Sequence, residues 1–359
     1  MIRVLVVDDS AVVRQVLTQE LKKDPLIEVI GAAPDPYVAR EMIAAHRPDV
    51  LTLDLEMPRM DGLSFLRQLM KHHPLPTLIV SSLTPKGSAL ALEAMAAGAV
   101  EVVQKPGAAY RVGDLGMYLR EKVKSAAGID LKALQASLQV SSPPPAPLLS
   151  VRTQTVVAIG ASTGGTIALE KILRALPVDA PGIVISQHMP PGFTQAFAER
   201  LSTLCKVKVR EAKHGDPILT GGVLIAPGNQ HLLVKTSGAR SFVELSDEAP
   251  VNRHRPSVDV MFRSVARALG PAAVGVILTG MGADGADGLL EMKRAGATMI
   301  AQDEASCVVF GMPREAIERG AADEIVPLDG VAARVLEVVR ERARVWKGRP
   351  EDGTSNDLL

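Results

Sequence analysis

The sequence predicts an α/β protein made of two doubly wound parallel sheets in series, the second carrying an antiparallel ribbon. Three observations predict it. Short β-branched or apolar runs alternate with amphipathic helical stretches through most of the chain. A proline-rich run from Pro143 to Pro147 cuts that alternation in two, because it favours extended chain and can continue neither helix nor central strand. Polar residues gather just after the strand-like runs, where ligand sites lie in open parallel sheets.

Residues 1–124 hold five such runs, "IRVLVV", "EVIGAA", "VLTLDL", "TLIVSS" and "VEVVQ". Residues 125–153 read as a linker with a possible short helix before the prolines. Residues 154–345 repeat the pattern with "TVVAIG", "GIVISQ", "VGVILTG" and "TMIAQD", interrupted by "GGVLIAPGNQHLLVK". This last stretch reads as the antiparallel ribbon, with turns at Gly221-Gly222 and Gly228-Asn229. Residues 346–359 read as a polar tail.

Composition narrows the function classes. With 40 basic against 40 acidic residues in 359, the charge gives no argument for nucleic acid or an anionic membrane surface. No basic recognition helix points to DNA. Two cysteines are too few for a disulfide framework, and no run approaches the ~20 apolar residues of a membrane helix. The opening "MIRVLVVDDS" ends its short apolar stretch in two aspartates, unlike a signal peptide. The expectation is a cytoplasmic monomer, neither binding nucleic acid nor inserting into membrane.

In the first domain Asp8 and Asp9 follow the first strand and Asp54 ends the third. A parallel sheet brings these three carboxylates to one edge, where a hard cation such as Mg²⁺ relieves their repulsion. Ser81 and Lys105, at the ends of strands four and five, could contact a phosphoryl group on Asp54. The plainer alternative makes Asp8 and Asp9 helix caps. "VDDS", "LTLDLEMPRMDG", "VSS" and "KP" resemble the response-regulator receiver family over nearly all of residues 1–124. That resemblance implies a flavodoxin-like (βα)5 fold and phosphorylation of Asp54 by a histidine kinase. It also implies Mg²⁺ on Asp8 through water, Asp9, Asp54 and the Glu56 carbonyl, with Lys105 on the phosphoryl group before a cis bond to Pro106. Ser81 is the favoured switch hydroxyl, with Ser82 and Thr84 as alternatives. The late-strand aromatic common in receivers is replaced by Val102 or Val103.

In the second domain "VVAIGASTGGTIALEKIL" is a strand, a glycine-rich bend and a helix. The bend fits two readings: a nucleophile elbow exposing Ser162, or a phosphate cradle. The spacing is not that of a dinucleotide fingerprint, and the next strand ends in Gln187-His188 where a ribose-binding acid would stand. His188 is where a serine nucleophile needs a base, and Asp284 in "TGMGADGADG" supplies an acid to orient it, with Asp287 as competitor. The order serine, histidine, acid differs from those of α/β-hydrolases, chymotrypsin and subtilisin.

"IGASTGG", "QHMPPGFTQAFAERL", "VNRHRPSVDVMF", "GVILTGMGADGADG" and "ASCVVFGMPREAI" resemble the catalytic domain of the CheB family over almost all of residues 154–340. The order receiver, linker, catalytic domain matches as well. The resemblance implies a protein-glutamate methylesterase and glutamine deamidase acting on chemotaxis receptors, with the Met281 N–H in the oxyanion hole. No cofactor is expected at the esterase site, and the resting receiver is expected to cover it. Physical reasoning adds the N–H groups at the helix start near Thr163. Arg253 and Arg255 either meet an acidic receptor segment or are solvated beside a helix cap at Ser257 or Asp259. The competing classes are a regulator whose second domain only binds a nucleotide or partner, and a DNA-binding regulator.

Overall fold

A computed structural model describes residues 1–82, 84–105, 112–131, 134–135, 148–149 and 154–347. Most of the expected linker and tail therefore lie outside the described residues, as does Pro106 with its expected cis bond.

The first domain runs β1 (Ile2–Val7), α1 (Ala11–Leu21), β2 (Ile27–Ala33), α2 (Pro36–His46), β3 (Val50–Asp54), α3 (Gly62–His72), β4 (Thr77–Ser81), α4 (Pro85–Ala96), β5 (Glu101–Gln104) and α5 (Val112–Ala127). Its strands pair in parallel in the order β2-β1-β3-β4-β5. Near-continuous apolar strands such as Val4–Val7 are covered by helices on both faces, as a parallel sheet requires. Short polar side chains start the helices: Ser10, Asp35, Asp61 and Thr84 each accept from a first-turn N–H. α5 passes the expected boundary at residue 124.

The second domain runs β6 (Val156–Ala161), α6 (Gly165–Ala175), β7 (Gly182–Gln187), α7 (Phe193–Leu204), β8 (Lys208–Glu211), β9 (Gly222–Ile225), β10 (His231–Ser237), β11 (Arg240–Ser246), α8 (Val258–Leu269), β12 (Ala273–Ile277), α9 (Ala286–Arg294), β13 (Thr298–Gln302), α10 (Met312–Glu318), β14 (Glu324–Val326) and α11 (Leu328–Lys347). Seven strands form a parallel sheet in the order β14-β13-β12-β6-β7-β9-β8. The order reverses at β6, so the crevice of the switch point opens over the carboxyl ends of β12, β6 and β7.

The ribbon lies one strand later than expected. β9, which the sequence placed in it, belongs to the main sheet, because Val223, Leu224 and Ile225 are buried from both faces. β10 and β11 form the antiparallel ribbon around Gly238, whose φ of 57° makes the tight turn.

The domains share apolar packing. One cluster contains Ala91, Leu92 and Met95 of α4 together with Phe193, Phe197 and Leu201 of α7. Another joins Leu119 and Val123 of α5 to Ile167 of α6 and to Val308. No helix of the described residues is long and apolar enough to cross a membrane.

Glycines rather than polar side chains cap α6 and α9, and this tightens the bends over the crevice. Gly164 has φ 81°, and a Cβ there would come within 2.6 Å of Val308 Cβ. Gly164→Ala is expected to cost about 1–3 kcal/mol, read as a lower urea midpoint for the second domain.

Candidate active site

Three neighbouring strands each deliver one side chain. Ser162 follows β6, His188 follows β7, and Asp284 lies in the loop after β12. All three are buried. The serine bend is closed by the Gly165 N–H donating to the Ser162 carbonyl at 2.7 Å, and the Ser162 N–H donates to Thr279 at 3.0 Å. Gly280 lies so near that a Cβ on it would come within 2.7 Å of Ser162 Cβ. Only a residue without a side chain fits there.

Asp284, not Asp287, faces His188: its Oδ2 is 2.8 Å from His188 Nε2, whereas Asp287 is half exposed and pairs with Arg319. Asp284 also accepts from Ser257 Oγ at 2.7 Å, the Val258 N–H at 2.7 Å, Asn252 Nδ2 at 2.8 Å and the Asp259 N–H at 3.3 Å. Burial works to raise its pKa. The His188 bond, helped by the Asn252 and Ser257 donors, outweighs burial and holds the carboxyl below the usual range. The ring's other nitrogen, Nδ1, is buried and has no hydrogen-bond partner among the described residues.

Among the described residues neither the Thr163 nor the Met281 N–H has an acceptor, whereas the Ser162 N–H is already taken. Cys205 and Cys307 play no comparable part, since burial pushes their thiols up to about 11 and about 12.

The first domain reaches into this crevice. Lys122 of α5 is buried, pairs with Glu101 of β5 at 2.8 Å, and donates to Ser162 Oγ and Thr163 Oγ1 at 3.4 Å each. Thr163 Oγ1 in turn donates to Glu101 at 3.1 Å. On the rim Arg253 pairs with Glu121 of α5. Arg255 is bound differently: its guanidinium donates to Asn229 Oδ1 at 2.7 Å and to the Asp247 and Glu248 carbonyls at 2.7 and 2.9 Å. It ties loops together, whereas Arg253 is mostly exposed beside Glu121. Ser257 does cap α8, as the plainer reading of that segment expected.

At the other sheet edge Asp8, Asp9 and Asp54 offer oxygens within 4.8 Å of one another. Lys105 Nζ stands 2.8 Å from Asp54 Oδ2 and 3.1 Å from Asp8 Oδ2. Burial raises both carboxyls above their ordinary values, with Asp8 adding to the effect on Asp54 and Lys105 opposing it. Glu56 borders this group, its N–H donating to Asp54 Oδ1 at 3.2 Å. Of the three candidate hydroxyls, Thr84 caps α4 and Ser82 meets the Glu56 carboxylate. Ser81 is buried at the end of β4, beside β3.

Residues 157–335 match the family model of CheB methylesterase, and residues 4–113 match that of the response regulator receiver domain. The protein-glutamate methylesterase/protein-glutamine glutaminase 4 of Anaeromyxobacter dehalogenans is 58% identical over 345 residues, 95% of this chain and 96% of its own. The chain belongs to the CheB methylesterase family. A second relative, protein-glutamate methylesterase/protein-glutamine glutaminase 2 of Syntrophus aciditrophicus, is 54% identical over 94% of this chain and 99% of its own. The Thermotoga maritima CheB methylesterase catalytic domain superposes with a TM-score of 0.51 at 41% identity, covering 53% of this chain and all of that one.

Sequence reasoning missed Asn252, His254, Lys122 and Glu101. The first two lie in "NRHRPSVD", which drew attention for its arginines and its capping residues. Lys122 and Glu101 carry no local signal, because they meet Ser162 and Thr163 across the domain interface.

The buried acid cluster makes a stability prediction for this CheB-family chain. Because folding raises the Asp54 pKa, ionising it at neutral pH costs stability, and that cost vanishes as pH falls through the raised value into the ordinary carboxylate range. In Mg²⁺-free buffer at pH 7, Asp54→Asn is expected to raise Tm by about 2–5 °C, shrinking toward zero near pH 4. Thermal unfolding followed by circular dichroism measures both.

Proposed function

We propose that the chain hydrolyses glutamate methyl esters, and deamidates glutamines, on chemotaxis receptors, acting from the cytoplasm through Ser162, His188 and Asp284. The observation that carries this is the division of labour on His188: Asp284 holds Nε2, and Nδ1 is left as the buried, unpartnered base. Nδ1 takes the Ser162 proton as Oγ attacks the ester carbonyl. The tetrahedral oxyanion is held by the Thr163 and Met281 N–H groups. The His188 proton passes to the leaving methoxide, which departs as methanol. Water, losing its proton to His188, then attacks the acyl-enzyme, and His188 passes that proton to Ser162 Oγ as glutamate leaves. A glutamine amide follows the same course and yields ammonia. Asp284 stays ionised throughout, stabilising the imidazolium.

A 440 Å³ cavity beside His188 gives the substrate segment room; Met189, Asn229, Arg253 and His254 are among its lining residues. Arg253 suits an acidic segment of the receptor, with its present partner Glu121 standing in for a substrate carboxylate.

Control comes from the first domain, phosphorylated on Asp54 by a histidine kinase. The donor set fits Mg²⁺: hard carboxylate oxygens from Asp8, Asp9 and Asp54, two of them buried and destabilised by their own charge, with the Glu56 carbonyl as the further family ligand. When bound, the ion neutralises the phosphoryl oxygens and the acid cluster. Lys105 contacts the phosphoryl group, and Ser81 is the switch hydroxyl. In the resting arrangement Lys122 occupies the approach to Ser162 and places a cation where His188 must become positive. Phosphorylation releases that contact.

Ser162→Ala and His188→Ala are each expected to lower methanol release from methylated receptor membranes by about 10⁴-fold or more with Tm unchanged. Retained turnover in either would sink the mechanism. Lys122→Ala is expected to raise the unphosphorylated rate by about 10-fold or more toward the rate seen with a small phosphodonor. A serine-directed fluorophosphonate should label Ser162 faster in the same variant.

A further inference from the structure

His254 stacks on the catalytic histidine. The His188 and His254 rings lie 3.7 Å apart between centroids and 13° from parallel. This contact is built by an unusual turn. Val251 and His254 exchange backbone hydrogen bonds of 3.1 and 2.9 Å, with Asn252 and Arg253 between them at φ 51° and 68°. Two consecutive non-glycine residues in the left-handed region are costly and persist only where surrounding contacts hold them. Asn252 Nδ2 donates to Asp284 at 2.8 Å and Asp259 at 2.7 Å, while His254 covers the face of His188.

We propose that His254 is a positioning residue for His188, its ring face fixing the plane in which the imidazole turns Nδ1 toward Ser162. Asp284 restrains His188 at Nε2 alone, and one hydrogen bond leaves the ring free to rotate about that contact. A flat surface parallel to the ring removes the remaining freedom. The groups facing His254 are His188, Asp284, Lys122 and Arg253. Burial, with charge on His188, Lys122 and Arg253, pushes His254 down to about 2 against the pull of Asp284. A neutral ring can sit against the imidazolium formed in each half-reaction, whereas a protonated one would repel it.

The inference rests on His188 acting as the base, and a full-chain assay with a small phosphodonor keeps the two apart. Absence of methanol release by the unaltered protein would overturn both. With turnover present, His254→Ala is expected to lower kcat by about 10- to 100-fold with KM within about twofold. His254→Phe, which keeps a flat face but cannot titrate, should recover kcat to within about threefold of the unaltered protein. His254→Leu fills similar volume without a flat face and should stay as slow as alanine, which preserves the comparison if the alanine variant fails to fold. An unchanged kcat in His254→Ala, a loss confined to KM, or leucine as active as phenylalanine would each overturn the assignment.

Discussion

The second domain is organised around one buried carboxylate. Taking an ionised carboxylate out of water costs several kcal/mol unless its oxygens are satisfied, and Asp284 answers that cost with five donors from three segments. Two of these are N–H groups of the first turn of α8, so the positive end of the helix dipole also points at the charge. The arrangement fixes the loop after β12, the start of α8 and the turn at 251–254 relative to one another. His188 is anchored to that rigid shell at Nε2, which leaves Nδ1 without a partner among the described residues.

The same site is closed by a second polar cluster, which the first domain supplies. Lys122 and Glu101 form a buried ion pair that also bonds to Ser162 and Thr163 across the domain boundary, while the Val102 N–H donates to Glu101. A buried pair of this kind adds little net stability, because desolvation offsets attraction, yet it is costly to leave half-made. It therefore defines a specific closed arrangement without locking it deeply. β5 begins at Glu101, and Lys105, the residue after its last, pairs with Asp54. One short strand with the residue after it thus touches both the buried acid cluster and the cluster packed against Ser162.

The parts of the site legible in the sequence are those set by a local rule. Ser162 and His188 stand directly after a buried strand, Asp54 ends one and Asp284 lies in the loop that follows one, and parallel sheets collect such positions at one edge. Asp8, Asp9 and Lys105 were legible for the same reason. The misplaced ribbon shows the rule's limit: "GVLI" and "HLLV" have similar composition, and only pairing partners decide that the first joins the main sheet while the second leaves it. Arg255 was equally ambiguous, since a surface arginine and one that ties together Asn229, Asp247 and Glu248 look alike in one dimension.

By itself the sequence determined the two-domain α/β order, the strand ends that carry chemistry and the family to which they belong, because hydrophobic period and post-strand polarity are short-range properties. Only the tertiary structure decided which nitrogen of His188 is free, that Asn252 and His254 serve it from a strained turn, and that Lys122 meets Ser162 from 40 residues upstream in another domain. Those facts depend on distances between segments with no shared periodicity. The elbow at "GASTGG" is written in the chain; what stands in front of it is not.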